Sequence, residues 1–285
     1  MAGFRNIRAL GLAYDEGRTL TSTFRKVPSQ ASTAGWWVDL SMAAGNPPPN
    51  YYASAPLVAD VFDDFRGVFH GDNKAPSSKH LRALELITPT AGLVGRYELL
   101  DYLLCYPFVD LDDTTTQVMD NTVTLPRYET GAGVRAMLVA VAPTAGGGTF
   151  TFDYVNQDGV MKTAPTQSFS VAAANIASIV TSEPATAAGG QVFLQLASGD
   201  TGIRSVSNWT TIVSTGGLGS LVLVKPLATL AVREVNTPAE VMWPNMTPGA
   251  PRIYDGAYLN LIMNCAASVA AGTLTGRADF TWSSS

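Results

Sequence analysis

Apolar and polar residues alternate in short runs along the second half of the chain. Residues 149–154 alternate strictly, which predicts a strand with one buried face, and 134–141 is an apolar run of strand length. Further strands are predicted at 167–172, 191–197, 203–213, 219–225, 257–264 and 273–282. Because Gly, Pro, Asn and Asp separate these runs, the spacing is typical of an all-β sandwich or barrel.

The first half of the chain has a mixed pattern. Residues 56–70 have the apolar spacing of a short helix, although a strand also fits this segment, and 81–88 alternates as a strand does. Between 93 and 104 the apolar and aromatic residues recur with helical spacing, and Pro107 ends this predicted helix.

The first 55 residues are polar and rich in turn residues. Three consecutive prolines at 47–49 forbid a helix or a central strand there, whereas 36–40 predicts a strand. We therefore predict an extended N-terminal arm over 1–55, a mixed α/β segment over 56–130 packed on the sandwich, and a β-sandwich domain over 131–285. The predicted fold class is mainly β, sandwich- or jelly-roll-like, with one or two short helices.

Glycine runs at 146–148 and 216–219 lie between predicted strands, so we interpret both as hairpin turns. Neither has the strand–turn–helix order that a dinucleotide site requires. Residues 142–151 also resemble 267–275, which suggests two similar hairpins in one sandwich.

Charge changes this picture, because only 14% of the 285 residues are charged, against about 25% in typical domains. Such a composition excludes a disordered chain and a coiled coil. Residues 1–130 hold 11 basic and 15 acidic residues, whereas 131–285 hold 7 and 8. The net charge of −5 gives no basic footprint for nucleic acid, and no apolar run is long enough for a membrane helix. The N-terminus lacks the apolar core of a signal peptide.

The sequence contains few residues suited to catalysis. His70 and His80 belong to no HExxH motif and are expected on the surface or in loops, and no GxSxG or Walker A motif occurs. Cys105 and Cys265 form no CxxC pair, so we expect two buried thiols, with a single long-range disulfide as the alternative. No catalytic, cofactor-binding or metal-binding residues are assigned, no cofactor is expected, and the chain is predicted not to be an enzyme.

Three acidic residues, Asp110, Asp112 and Asp113, require a comparison with calcium sites. An EF-hand loop starting at Asp110 would need Gly and Glu where this sequence has Thr115 and Asn121. A solvated acidic turn is therefore predicted, with an irregular Ca²⁺ site as the alternative.

Aromatic pairs flank the triple proline. Adjacent residues of a strand face opposite ways, so Trp36 and Trp37 would not form one stacking platform, and base stacking also needs a basic groove. Core filling or an intersubunit contact is the better interpretation. The candidate interface residues are Arg18, Phe24, Arg25, Trp36, Trp37, Tyr51 and Tyr52.

Several segments resemble structural proteins of tailed bacteriophages. They are 96–113, 124–134, 152–160, 221–227 and 251–259. The resemblance implies a virion component of the head, a capsid decoration (cement) protein, with a β-sandwich or jelly-roll domain on the outer capsid lattice. It transfers no functional residues, because its motifs are compositional and positional.

The leading functional prediction is a non-enzymatic virion protein, assembled in the host cytoplasm. It would stabilise the head by binding the major capsid protein lattice and copies of itself, as a dimer or trimer, without nucleic acid or membrane. The low charge of 131–285 suits burial against such neighbours. The alternatives are a tail, collar or baseplate protein, and a carbohydrate-binding module whose glycan contact would use Trp36 or Trp209.

Overall fold

The computed structural model describes residues 7–28, 33–63, 66–183, 191–243, 249–268 and 271–283. These residues contain one α-helix, α1 (Ile7–Asp15), and two short 3₁₀ turns, Leu40–Met42 and Ala91–Leu93. The strands are β1 (Thr19–Val27), β2 (Trp37–Asp39), β3 (Ala44–Asn46), β4 (Asp60–Val61), β5 (Lys79–Ile87), β6 (Gly95–Asp110), β7 (Thr116–Val118), β8 (Arg135–Ala140), β9 (Thr149–Asn156), β10 (Met161–Thr163), β11 (Gln167–Ser168), β12 (Ile203–Val213), β13 (Leu218–Val232), β14 (Ala239–Met242), β15 (Arg252–Ile253), β16 (Tyr258–Cys265) and β17 (Leu274–Trp282).

Within these described ranges the strands form three antiparallel sheets. The first sheet has the order β14-β5-β17-β1-β3, with β15 on β5. The central sheet has the order β2-β16-β6-β13-β8, with β4 on β6. The third sheet has the order β10-β9-β12-β7, with β11 on β9. The predicted class, mainly β with a sandwich arrangement, is confirmed.

The central sheet is buried on both faces. Along β13, Val222 and Val224 belong to one hydrophobic core, which also contains apolar residues of the first sheet. Leu221 and Leu223 point the opposite way, into a second core shared with the third sheet. The central sheet therefore separates two cores, and its strands need apolar residues at successive positions.

The segment Ala177–Val180 joins the two edges of the central sheet. The amide of Ile179 donates to the carbonyl of Trp37 in β2, and the amide of Val180 donates to the carbonyl of Leu138 in β8. Because hydrogen-bonded neighbours lie about 4.8 Å apart, the central sheet must curl until its edges nearly meet. Closure of this kind removes the exposed edges that would otherwise pair with other chains.

The helix predicted between residues 93 and 104 is wrong, because this segment forms β6, the longest strand described. Nearly every residue from Tyr97 to Val109 is buried. A strand buried on both faces loses its polar–apolar alternation, so periodicity alone does not distinguish it from a buried helix. The helix predicted at 56–70 is also wrong for the described residues, which contain only the short strand β4 there.

Most predicted strands are confirmed. The structure has strands at 36–40, 81–88, 134–141, 149–154, 203–213, 219–225, 257–264 and 273–282, within two residues of the predicted bounds except that the strand predicted at 219–225 continues to Val232. Only Gln167–Ser168 of the segment 167–172 is a strand, and 191–197 forms none. Leu194 donates one hydrogen bond to Ala136 at the edge of β8, which is too little pairing to extend the sheet.

Neither glycine run forms a hairpin. Gly146–148 connects β8 of the central sheet to β9 of the third, and 216–219 connects β12 of the third sheet to β13 of the central one. The related segment 267–275 likewise links β16 to β17 in the first sheet. Glycines 146, 147 and 148 all have positive φ, so they do allow a sharp reversal. A turn signal shows that the chain reverses, but not which sheet the next strand joins.

Strands from the predicted arm and from the middle segment are interleaved with later strands. β1 pairs with β17 from Thr19 to Lys26, and β3 pairs with its other side. β6 and β7, from the middle segment, pair with β13 and β12. Residues 19–27 are thus an interior strand of the first sheet, and an arm that reaches a neighbouring subunit stays a prediction.

The two cysteines are buried on different strands. Cys265 of β16 lies opposite Gly95, ten residues along β6 from Cys105, or about 30 Å at the rise of a strand. The prediction of two buried thiols is confirmed, and the alternative disulfide is wrong because the sulfur atoms are too far apart.

Candidate docking surface and polar cleft

The structure does not bring the seven predicted interface residues together. Phe24, Trp36 and Tyr52 are buried in the cores, so these side chains stabilise the chain itself. Trp37 and Arg18 are half-buried, and the Arg18 guanidinium donates to the carbonyl of Trp282. The two remaining residues, Arg25 and Tyr51, are exposed. A contact with a partner therefore stays a prediction for the accessible residues only.

The tryptophans bear on the glycan alternative. Trp36 is buried in the second core, whereas Trp37 packs against the first, which confirms that the two rings face opposite ways. Trp209 is fully buried and stacks on Phe150 at a ring-centroid distance of 4.4 Å. A glycan platform on Trp36 or Trp209 is wrong, because both rings are enclosed.

The outer face of the third sheet is defined by strand register. Phe150, Phe152 and Tyr154 of β9 point into the second core, so the residues between them point outward. Residues directly opposite each other on paired strands share a face. The outward rows are Thr116–Thr210–Thr151, Val118–Asn208–Asp153–Thr163 and Ser205–Val155–Met161. We call these three rows the outer face.

The outer face carries hardly any charge. Asp153 is the one ionisable residue in its rows, and the carboxylate accepts hydrogen bonds from Thr163 at 2.6 Å and Asn208 at 3.1 Å. Val118 and Met161 are 68% and 57% exposed. Four strands about 4.8 Å apart and the five residues from Thr151 to Val155, at a rise of about 3.4 Å, give an area of roughly 330 Å². Charged residues are depleted in the cores of protein–protein interfaces, so this face is a candidate docking surface.

The acidic residues after Pro107 form a hydrogen-bonded turn. Asp110 accepts the backbone amides of Asp112 and Asp113, and Asp113 accepts both the amide and the hydroxyl of Thr115. These bonds lower the pKa of Asp113. They agree with the predicted acidic turn.

The described ranges contain no group of three or more His, Cys, Asp or Glu side chains placed to hold a metal ion. No helix in these ranges has the length and apolarity to span a membrane. Both histidines were expected on the surface or in loops. His70 does lie in a loop, before β5, but its side chain is buried and bonds to Lys79 and to the carbonyl of Ala257. His80 lies half-buried on strand β5 rather than in a loop.

A buried carboxylate, Asp39, organises the junction between β2 and the following 3₁₀ turn. Its oxygens accept hydrogen bonds from the Tyr102 hydroxyl at 2.6 Å, from the Tyr52 hydroxyl, and from both the amide and the hydroxyl of Ser41. Burial raises the pKa of Asp39, and these hydrogen bonds oppose the rise. Burial also lowers the pKa of nearby Lys26 to about 8, and the charge of Asp39 opposes that change.

A buried ion pair holds β6 to the loop before β8. The Arg127 guanidinium donates to both carboxylate oxygens of Asp101, at 2.7 and 2.9 Å, and to the carbonyl of Tyr102. Burial raises the pKa of Asp101 to about 6, while the hydrogen bonds and charge of Arg127 oppose the rise. The pair fixes the backbone next to Tyr102 and Tyr258, two aromatic residues near Asp39.

A polar cleft of about 370 Å³ opens beside this buried network. Its floor includes Tyr52, Phe62 and Tyr258, which are buried. The other lining residues are Asn50, Tyr51, Ala53, Ser54, Asp60, Val61, Asp63, Arg66 and Cys105. The Tyr258 hydroxyl and the Ser54 Oγ are buried without a hydrogen-bond partner. An unsatisfied buried hydroxyl costs about 1–3 kcal/mol, so two of them beside one cleft call for an explanation.

Sequence reasoning found neither the outer face nor the cleft as a site. The alternating segment 149–154 already indicated that Thr149, Thr151 and Asp153 face away from the core, so two of the ten residues of the outer face, Thr151 and Asp153, could be placed from sequence. The cleft joins residues 50–54, 60–63, Arg66 and Tyr258, and no local pattern indicates that these parts of the chain meet. Tyr51 was singled out as an interface residue, and it does line the cleft.

The chain has no match among protein-family models and none among curated proteins. Two solved structures of infectious bursal disease virus particles align with 92% of it. One is the crystal structure of the VP2 subviral particle, at 10% identity over 80% of that chain and a TM-score of 0.18. The other is a T=1 particle derived from the virus, at 11% identity over 77% of that chain and a TM-score of 0.16. Scores this low do not establish a common fold.

Proposed function

We propose that this chain is a non-enzymatic structural component of a phage virion, a capsid decoration protein that binds the major capsid protein lattice and copies of itself. The observation that carries the proposal is the charge-poor outer face of the third sheet. The resemblance of five segments to tailed-phage structural proteins supports the same assignment. No cofactor, nucleic acid or membrane enters this proposal.

The size of the outer face indicates how such binding would work. A stable protein–protein interface buries about 800 Å² on each partner, and the outer face offers roughly 40% of that. One contact through this face would therefore be weak. Several weak contacts made together by an oligomer on a repeating lattice give strong retention, because the later contacts form at high effective concentration.

The test introduces charge on the outer face. Thr151→Lys and Thr210→Lys each place an ammonium group in its first row, Thr116–Thr210–Thr151, where a partner would have to bury it unpaired. The matched control is Thr275→Lys, on an exposed position of β17 in the first sheet. Virions lacking the protein are incubated with each variant and sedimented, and the bound fraction is measured.

The expected result is at least a tenfold loss of particle binding for both outer-face variants and unchanged binding for the control. Equal binding by all the variants would refute docking through this face. Electron microscopy of particles carrying labelled protein tests the location. Labels over the whole shell support a decoration protein, whereas labels confined to one vertex would support the tail, collar or baseplate alternative instead.

A further inference from the structure

We propose that the polar cleft is a binding site for a neutral sugar ring. The site is separate from the outer face, and the inference does not depend on the proposed virion role. The cleft volume of about 370 Å³ lies within the range of small-molecule sites.

The floor of the cleft supplies hydroxyl groups that a ligand could satisfy. Tyr258 is 1% exposed, and its hydroxyl has no partner within hydrogen-bond geometry, although the amides of Asn50 and Asn260 lie close to it. The Ser54 Oγ, which also lines the cleft, is likewise buried and unpartnered. A hydroxyl both donates and accepts, so this floor matches a ligand that does the same at several adjacent atoms.

The rim of the cleft selects among polar ligands. Tyr51 is 58% exposed, and its ring offers a flat apolar face of the kind that packs against the C–H face of a sugar. The exposed Asp60 carboxylate can accept hydrogen bonds from sugar hydroxyls, and the Arg66 guanidinium can donate to a ring or glycosidic oxygen. Among the lining residues that the structure describes, the charged groups are the carboxylates of Asp60 and Asp63 and the guanidinium of Arg66, and this balance disfavours phosphate and other anions.

Binding is tested on the full chain with methyl glycosides of glucose, galactose, mannose and N-acetylglucosamine, by saturation-transfer NMR and calorimetry. A second arm uses soluble dextran, mannan and galactan. Tighter binding of a polysaccharide than of its glycoside indicates a polymer as the natural source, and equal binding indicates a single ring. Either pattern supports the proposal, whereas no binding of any probe at 10 mM overturns it.

Substitutions locate the site. Tyr258→Phe removes only the hydroxyl, and we expect at least a fivefold weaker affinity with little loss of thermal stability, because the nearby amides of Asn50 and Asn260 do not reach hydrogen-bond geometry with that hydroxyl. Tyr51→Ala should weaken binding similarly, since it removes the stacking ring. Tyr14→Phe, on the exposed helix α1, is the control and should bind as the unaltered chain does. Unchanged affinity in both cleft variants would refute the assignment to this cleft.

Discussion

Replacing Arg127 by leucine should destabilise the fold more than any exposed charge substitution. The guanidinium and its partner Asp101 have side chains only 6% and 1% exposed. Arg127→Leu removes two hydrogen bonds to Asp101 and one to the Tyr102 carbonyl, and it leaves a carboxylate buried without its counter-charge. Breaking a buried pair in this way costs about 3–5 kcal/mol. Urea unfolding followed by tryptophan fluorescence measures the loss.

The stability lost in Arg127→Leu should increase as the pH rises. Asp101 has a pKa of about 6 in the folded chain, above the value of about 3.9 expected when unfolded. The folded state therefore holds this proton more tightly, and the stability contributed by Asp101 falls as pH rises from about 4 to 6. Without Arg127 the pKa of Asp101 rises further, so the variant keeps losing stability above pH 6. We expect the difference between variant and unaltered chain to be about 2 kcal/mol larger at pH 8 than at pH 5.

Two further variants make this reasoning refutable. Asp101→Asn combined with Arg127→Leu removes the buried charge while keeping an acceptor for the Tyr258 amide, so it should recover most of the stability at pH 8. Arg277→Leu breaks the exposed pair with Asp279 and should cost less than about 1 kcal/mol at either pH. A loss in Arg127→Leu that is equal at pH 5 and pH 8, or is not relieved in the double variant, would contradict the account.

Two packing predictions use the same unfolding assay. Trp209→Ala empties a fully buried site stacked on Phe150 and should cost about 3–5 kcal/mol, whereas Trp37→Ala, at a half-buried position, should cost clearly less. Gly276→Ala would place a methyl group in the space of the Phe24 ring and should cost about 1–3 kcal/mol, and Phe24→Leu in the same chain should restore part of it. If both tryptophan variants lost the same unfolding free energy, the packing account of Trp209 would be wrong. If Phe24→Leu restored no stability to the Gly276→Ala chain, the proposed clash with the Phe24 ring would be wrong.

Strands were predicted correctly from sequence where one face of the strand is exposed to solvent. β9 keeps its alternation because one side of the third sheet meets solvent. Its partner β12 has irregular register instead, but both strands were located within two residues. The prediction failed at β6, because both faces of this strand are covered by its neighbours. Nearly all of its residues are then apolar, and such a run does not distinguish a strand from a helix. The hairpins predicted at the two glycine runs were also wrong. Which sheet the next strand joins depends on contacts between residues far apart in sequence, and the turn residues do not show these contacts.

The same physics limits what sequence shows about the sites. The outer face follows from one alternating strand, whose Thr151 and Asp153 could be placed from sequence, and from its register with the neighbouring strands, which could not. Asp39 and the Arg127–Asp101 pair are single charged residues within apolar or loop segments. A lone aspartate inside an apolar run, as at 101, is the available signal for a buried partner, because burial of an unpaired charge is costly. The identity of that partner comes only from the fold.

The shortage of charge in residues 131–285 now has two separate causes, and only one concerns partners. β8, β13 and β16 together contain two charged residues, Arg135 and Lys225, because the central sheet is buried on both faces within the chain itself. The low charge of these three strands is therefore explained by burial within the chain and needs no partner protein. The outer face is different, since its rows are open to solvent and still carry a single carboxylate, already engaged by Thr163 and Asn208. An isolated globular protein gains nothing from leaving such a surface uncharged, so the argument for a protein neighbour rests on the outer face and not on composition.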